Sequence, residues 1–214
     1  MLSKLESIPR GFVFRAPRDA KTNYDAGETL AFELLLFGSA AQFLPSFVLA
    51  LLQLAHEGFG ANRAPTELLS VEEIPLAPPT QVPDAHMTVQ FLTPTHLVSQ
   101  GKAVRAPGFH HLFKRVRDRI NAIATFYGTG QIDADFAGLG AASERILTVR
   151  RATKWESQMR TSSRTGQRHE LSGFTGECEF AGDLAPFREW LILGQQCHVG
   201  KHAVWGNGQY LLSN

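Results

Sequence analysis

The chain has 214 residues, 43% of them hydrophobic, with 21 lysines and arginines against 20 aspartates and glutamates. That composition can fill a core, and it excludes a disordered chain, which needs low hydrophobicity and high net charge. Two cysteines, Cys178 and Cys197, cannot staple a secreted scaffold of this size, so a reducing cytoplasm is the expected compartment.

The first six residues hold no apolar h-region of a secretory signal. Residues 11–15 alternate as a short strand, and residues 16–27 are rich in turn formers. Residues 29–37 predict a second strand, whose apolar end, Leu34 to Phe37, suggests burial on both faces. Residues 43–55 are the longest apolar run. At 13 residues, interrupted by Pro45, Ser46 and Gln53, it falls short of the roughly 20 a bilayer crossing needs, so no membrane association is expected. Leu44–Glu57 reads as a helix with Pro45 in its first turn, Gly58 as its C-terminal cap, and a core face of Phe47, Leu51, Leu54 and Ala55. A strand over 67–74 closes this unit. Pro78, Pro79 and Pro83 mark a stiff linker over 77–85.

The pattern then restarts. Residues 86–92 alternate as a strand ending before Thr93-Pro94. Residues 109–126 form a helix with Phe109, Leu112, Phe113, Val116, Ile120 and Ile123 on one stripe. Residues 144–157 and 172–180 read as a long hairpin, and 185–193 as a short helix capped by Asp183 with Pro186 in its first turn. Residues 204–211 supply the last strand. Strand, helix, strand, strand, helix, strand is the ferredoxin-like order. The expected fold is therefore α+β: a complete ferredoxin-like unit over 86–214 and an abbreviated one over 1–76.

The small net charge conceals sorting. From Lys102 to Arg119 six cations stand against Asp118 alone, and from Arg150 to Arg168 six stand against Glu156 alone. Segregation of this kind points to a polyanion, most commonly a phosphodiester backbone. Other chemistries fit poorly. Gly194 to Lys201 has five residues between its glycines where a P-loop has four, and His202 stands where Ser or Thr would hold magnesium. Cys178, Cys197, His198 and His202 lack the spacing of a zinc site, and no metal or cofactor is expected.

The segment Leu193-Gly194-Gln195-Gln196-Cys197-His198-Val199-Gly200-Lys201-His202-Ala203-Val204-Trp205-Gly206-Asn207-Gly208-Gln209-Tyr210 resembles the glycine-rich loop of the RAMP superfamily, especially the CRISPR-associated endoribonucleases that process precursor CRISPR RNA. Trp155 through Arg160 to Ser162-Ser163-Arg164 is similar to that family's hairpin. Leu171 to Glu177, followed by Gly182 to Phe187, is similar to its next strand and helix start. The likeness begins at Gly27 to Leu30 and runs in order along most of the chain. It implies two ferredoxin-like domains and binding of a CRISPR repeat transcript. It also implies metal-independent cleavage through the 2′-OH, or, as the alternative, a non-catalytic subunit that holds the repeat handle in an effector complex. The family's opening strand and helix, which carry the catalytic histidine in many members, have no counterpart here. Other CRISPR subunits, a homodimer, or a partner completing the first domain are the protein partners expected.

Such cleavage needs a base for the 2′-OH, an acid for the leaving oxygen, and cations for the phosphorane. Histidine suits either proton role. His110 shares a helical face with Lys114 and Arg117, and His111 shares one with Arg115, so both are the candidate acid and base. Tyr127 reads as packing. Lys114, Arg115 and Arg117 on that helix, and Arg150, Lys154, Arg160, Arg164 and Arg168, are placed on RNA phosphates, with Ser162 and Ser163 beside the latter. His198, Lys201 and His202 are placed on RNA through the glycine-rich loop, where backbone amides approach phosphates closely.

Overall fold

A computed structural model describes residues 8–213 apart from 18, 20, 61, 77–83 and 162–165. Most of the expected linker, with Ser162, Ser163 and Arg164, lies outside the described residues.

Residues 86–213 form one complete α+β unit. Strand β3 (His86–Thr95) is followed after a small hairpin, β4 (Val98–Ser99) and β5 (Lys102–Ala103), by helix α2 (Phe109–Tyr127). Helix α3 (Phe136–Ser143) then leads to β6 (Leu147–Glu156), a second small hairpin of β7 (Met159–Thr161) and β8 (Arg168–Glu170), and β9 (Gly173–Ala181). Helix α4 (Arg188–Cys197) and β10 (Tyr210–Ser213) complete it. The sheet order is β10-β3-β9-β6, antiparallel throughout, which is the ferredoxin-like arrangement. Period-two alternation in β3 buries Met87, Val89 and Phe91 on one face. The α2 stripe from Phe109 to Ile123 is buried as its 3.6-residue period predicts. Phe109 meets Phe180 at 5.3 Å and Phe187 at 5.0 Å, edge to face. Tyr210 fills the space beside Phe91 and donates its hydroxyl to the Leu191 carbonyl at 2.7 Å.

Several boundaries differ from expectation for identifiable reasons. β3 runs through Pro94 because the register slips between Phe91 and Thr95, and a bulge tolerates a residue with no N–H. Asp183 does not cap the helix after it; a 3-10 turn over Ala185–Phe187 comes first, and α4 continues through Gly194 to Cys197. The expected last strand begins instead as a 3-10 turn, Ala203–Trp205, with pairing delayed to β10. Helix α3 escaped the periodicity search because its sequence, FAGLGAAS, is small and uniformly apolar; Asp135 starts it by accepting the Gly138 N–H at 2.8 Å.

The N-terminal half is thinner. Strand β1 (Phe12–Arg15) pairs antiparallel with β2 (Glu33–Leu36), a shorter strand than residues 29–37, and β2 is half-exposed, not covered on both faces. A 3-10 turn, Gly38–Phe43, enters helix α1 (Leu44–Glu57). Pro45 and Gly58 sit at its ends as expected, but its core face meets little: Phe47 packs on Phe12 and Phe14, and no residue of α1 is buried. The helical stretch from Gly38 to Glu57 spans 20 residues, long and apolar enough to cross a membrane by length and composition. Residues 67–74 form no strand and join no ladder among the described residues. The hairpin is anchored by Val13, which is fully buried, and by Tyr127, whose hydroxyl donates to the Pro9 carbonyl at 2.8 Å.

This packing separates core from surface sharply. Phe109→Ala should cost about 3–5 kcal/mol in urea unfolding, through lost transfer energy and a cavity under α2. Leu147→Ala, at a residue 68% exposed, should stay within about 0.5 kcal/mol.

Candidate nucleic-acid interface

The predicted site residues fall into two groups, joined by no hydrogen bond or ring contact among the described residues. The first lies at the start of α2. Gly108 donates its N–H to His111 Nδ1 at 3.1 Å, so the His111 proton sits on Nε2. That Nε2 lies 3.2 Å from His110 Nε2 and donates to it. Burial, and then for His110 the Lys114 ammonium, lowers its pKa; burial, His110, Lys114 and Arg151 lower that of His111. Both imidazoles are therefore neutral near pH 7. Their cationic neighbours are already engaged: Lys114 with Glu144 at 2.7 Å, Arg115 with Asp118 at 3.6 Å, and Arg117 with Asp118 and the Phe136 carbonyl at 2.7 Å each.

The second group gathers where the β7–β8 hairpin meets the turn after α4. Trp205, 44% exposed, carries the Arg160 guanidinium 5.3 Å from its ring centre. His202 stacks nearly parallel to the indole at 5.2 Å, and His169 meets it edge-on at 5.6 Å. Lys201 is exposed beside them, and Arg168 stands on β8 opposite Thr161 without an acidic partner among the described residues. Close by, Trp155 holds Arg105 at 4.4 Å, and His96 bonds through Nδ1 to the Ser172 carbonyl at 2.8 Å. Cations without acidic partners among the described residues, interleaved with one exposed and several half-buried aromatic rings, form a surface suited to phosphates and stacked bases. Trp205 and His169 were absent from the sequence-derived candidates. Trp205 stood within the glycine-rich segment, but nothing local revealed that the hairpin would reach it.

The groups lie toward opposite ends of β9: Phe109, next to His110, packs on Phe180, whereas His96 bonds at Ser172. Eight residues of strand separate those points, roughly 25 Å.

Three of the expected RNA-facing residues have other partners in the chain. Arg150 is paired with Glu179 at 2.5 Å and Glu177 at 3.1 Å, and Lys154 with Glu156 at 3.1 Å, so each would exchange an acidic partner for a phosphate. The acids that neutralise Arg150 come from β9, beyond the basic window read in the sequence. His198 does not face a ligand at all. It is fully buried, accepts from Arg15 Nε at 3.3 Å, and donates from Nδ1 to the Asn207 carbonyl at 3.2 Å. Burial and the Arg15 charge push its pKa down to about 3. Its role is to join the N-terminal hairpin to the glycine-rich turn. The two cysteines are buried as well, and burial pushes their thiols up to about 11.

His198 makes stability pH-dependent with a definite sign. Its folded pKa lies below the ordinary 6.5, so the unfolded chain binds more protons between those values. Its contribution is complete above pH 6.5 and is lost as pH falls toward 3. Histidine NMR should show no His198 titration above pH 5, and a resonance midpoint near 6.5 would refute the assignment.

A sequence profile for the CRISPR-associated endoribonuclease Cas6 matches residues 89–210, and a profile for an N-terminal domain matches residues 1–93. No curated protein matches the chain. Among solved structures, a Thermus thermophilus Cas6 product complex aligns with a TM-score of 0.65 at 19% identity, over 97% of this chain and 83% of that one. Another Cas6 product complex gives 0.56 at 16% identity, over 100% and 87%. A partial Cas6-RT-Cas1–Cas2 complex gives 0.61 at 16% identity, over 99% of this chain and 40% of that one. These structures share the ferredoxin-like RAMP fold, and because the Cas6 profile spans more than half of its residues, the chain belongs to the CRISPR-associated endoribonuclease Cas6 family.

Proposed function

We propose that the chain cuts RNA, holding the repeat of a precursor CRISPR transcript against the Trp205 surface and cleaving it without a metal ion. Family membership supports RNA cleavage, and the observation that carries the binding reading is the Arg160–Trp205–His202 arrangement beside Lys201 and Arg168. A guanidinium and an exposed indole serve both chemical components of a nucleic acid, the phosphate and the base face. Other CRISPR proteins are the partners we infer, since a structural relative is found with Cas1–Cas2.

In the reaction a base removes the 2′-OH proton and the 2′-oxygen attacks the adjacent phosphorus. The 5′-oxygen then departs with a proton, leaving a 2′,3′-cyclic phosphate. We assign proton transfer to His110: its basic nitrogen is Nε2, which accepts from His111 Nε2 in the free chain and takes the 2′-OH proton once substrate displaces that bond. His202 is the competing group, because it stacks on Trp205, which also carries the Arg160 guanidinium.

Three measurements test this reading. In single-turnover cleavage of a repeat stem-loop with EDTA present, His110→Ala should lower the rate by about 10²–10⁴ and barely change binding. A near-normal rate there, with loss in His202→Ala, would move the chemistry to the Trp205 surface. RNA binding without cleavage by the unmodified chain would leave a repeat-holding subunit.

The lowered pKa of His110 keeps its base form populated into mild acid. The cleavage rate should therefore stay level through pH 6.5 and fall only below it; a midpoint above 6.5 would refute His110 as the base.

Replacing Arg160 and Arg168 together by Ala should make the plot of log affinity against log salt shallower by about 1–2. Arg150→Ala should leave that slope unchanged, because Glu177 and Glu179 already neutralise Arg150.

A further inference from the structure

His96 directly follows β3, and its ring is held in one orientation. It is nearly buried and bonds through Nδ1 to the Ser172 carbonyl at 2.8 Å. A carbonyl oxygen only accepts, so Nδ1 carries the hydrogen and, in the uncharged ring, Nε2 keeps the lone pair. The other end of this bond is fixed in turn: Ser172 is buried, and its hydroxyl accepts the Gln158 N–H at 3.1 Å. The His96 carbonyl is tied as well, accepting the Lys201 N–H at 3.0 Å. His96 Nε2 itself has no partner among the described residues. The described side-chain nitrogens sealed from solvent without a partner belong to Arg119 and Arg188, so Nε2 of His96 opens to the surface.

The groups around that opening are of one kind. Trp155 meets the His96 ring edge to face at 5.6 Å and carries the exposed Arg105. His202 is near enough for charge on His96 to disfavour its own, and it stacks on Trp205, which carries Arg160. A fixed hydrogen-bond acceptor thus lies between two indoles, each beneath a guanidinium. The cations suit phosphates and the rings suit base faces, but neither component of a nucleic acid answers a lone pair there, because phosphate oxygens only accept. The donor that remains on the backbone is the ribose 2′-hydroxyl, which DNA lacks.

We propose that His96 Nε2 accepts a hydrogen bond from a ribose 2′-hydroxyl of the bound strand and so makes this surface select RNA over DNA. The inference rests on the reading that the Trp205 surface holds RNA, and adds the group that recognises the sugar. The hydroxyl concerned is not the reacting one, since His110 stands toward the other end of β9, roughly 25 Å away.

Equilibrium binding tests this with a repeat RNA kept intact by a 2′-deoxy residue at its cut position. Replacing one further 2′-hydroxyl at a time by hydrogen should weaken binding about 3- to 10-fold at one position, the ordinary yield of a single hydrogen bond. In His96→Phe, which keeps a flat ring without the acceptor, that position should become indifferent. In His96→Gln, whose amide oxygen can take the place of Nε2, part of the sensitivity should return. Circular dichroism checks both variants, because each leaves the Ser172 carbonyl unpaired; the scan on the unmodified chain needs no variant. A scan in which no position matters overturns the proposal, and so does a sensitive position that persists in His96→Phe. Trp205→Ala separates the two readings. If it weakens binding while no hydroxyl matters, the surface holds RNA and only the role of His96 fails. If it leaves the affinity unchanged, the surface reading falls and this proposal falls with it.

Discussion

The close approach of the glycine-rich turn to the end of β3 is the constraint on which the rest of the molecule depends. Lys201 donates its N–H to the His96 carbonyl at 3.0 Å, Gly208 to Pro94 at 3.1 Å, and Leu92 to Gln209 at 2.9 Å. A Cβ on Gly200 would stand 2.5 Å from the His96 oxygen, and one on Gly208, whose φ is +73°, would collide with the Val199 carbonyl. Glycine at these two positions lets one backbone lie on another. Once it does, Lys201, His202 and Trp205 are carried on a rigid platform and face the β7–β8 hairpin. The same contact buries His198, and Arg15 reaches it there from the N-terminal hairpin through Nε, while its Nη2 donates to the Gln195 carbonyl and to Gln196 Oε1. A turn that resembles a ligand loop in sequence is therefore also the joint between the two halves.

What the sequence disclosed depended on the range of the forces involved. The α2 stripe and the β3 alternation are local consequences of burial on one face, and both were readable. The burial of His198 was not, because it follows from the turn's docking on β3, and its hydrogen-bond donor, Arg15, is 183 positions away. Charge counting failed for a related reason. Arg150 and Arg160 look alike within their basic window, but cross-strand register sets Glu179 opposite Arg150, whereas Arg160 has His169 opposite and Trp205 under its guanidinium. A run of cations becomes a binding surface only where strand pairing leaves it uncompensated. Helix α1 shows the converse: its periodicity was correct for a helix, but an apolar stripe promises a core only if something stands opposite it.

Electrostatically, the two histidine groups are unlike. At the start of α2, neutral imidazoles sit among cations whose charges are spent on Glu144 and Asp118, so the local field is weak and burial dominates. Around Trp205 the cations keep their charge, and the rings supply polarisable surface for it. A charged, ring-lined surface and a neutral imidazole pair need different surroundings, and roughly 25 Å of strand keeps those surroundings apart.

The sheet order also bears on how the molecule is made. β10 pairs with β3, so Tyr210 meets Phe91 across roughly 120 residues of intervening chain. During synthesis, β3, α2, β6 and β9 can all emerge while the core still lacks Tyr210 and one edge of β3 stands bare. The glycine-rich turn lies between α4 and β10 and takes its anchors from both Leu92 and Pro94, so it settles only when that final strand docks. The Trp205 surface is thus set in place only once β10 docks on β3 and the core receives Tyr210.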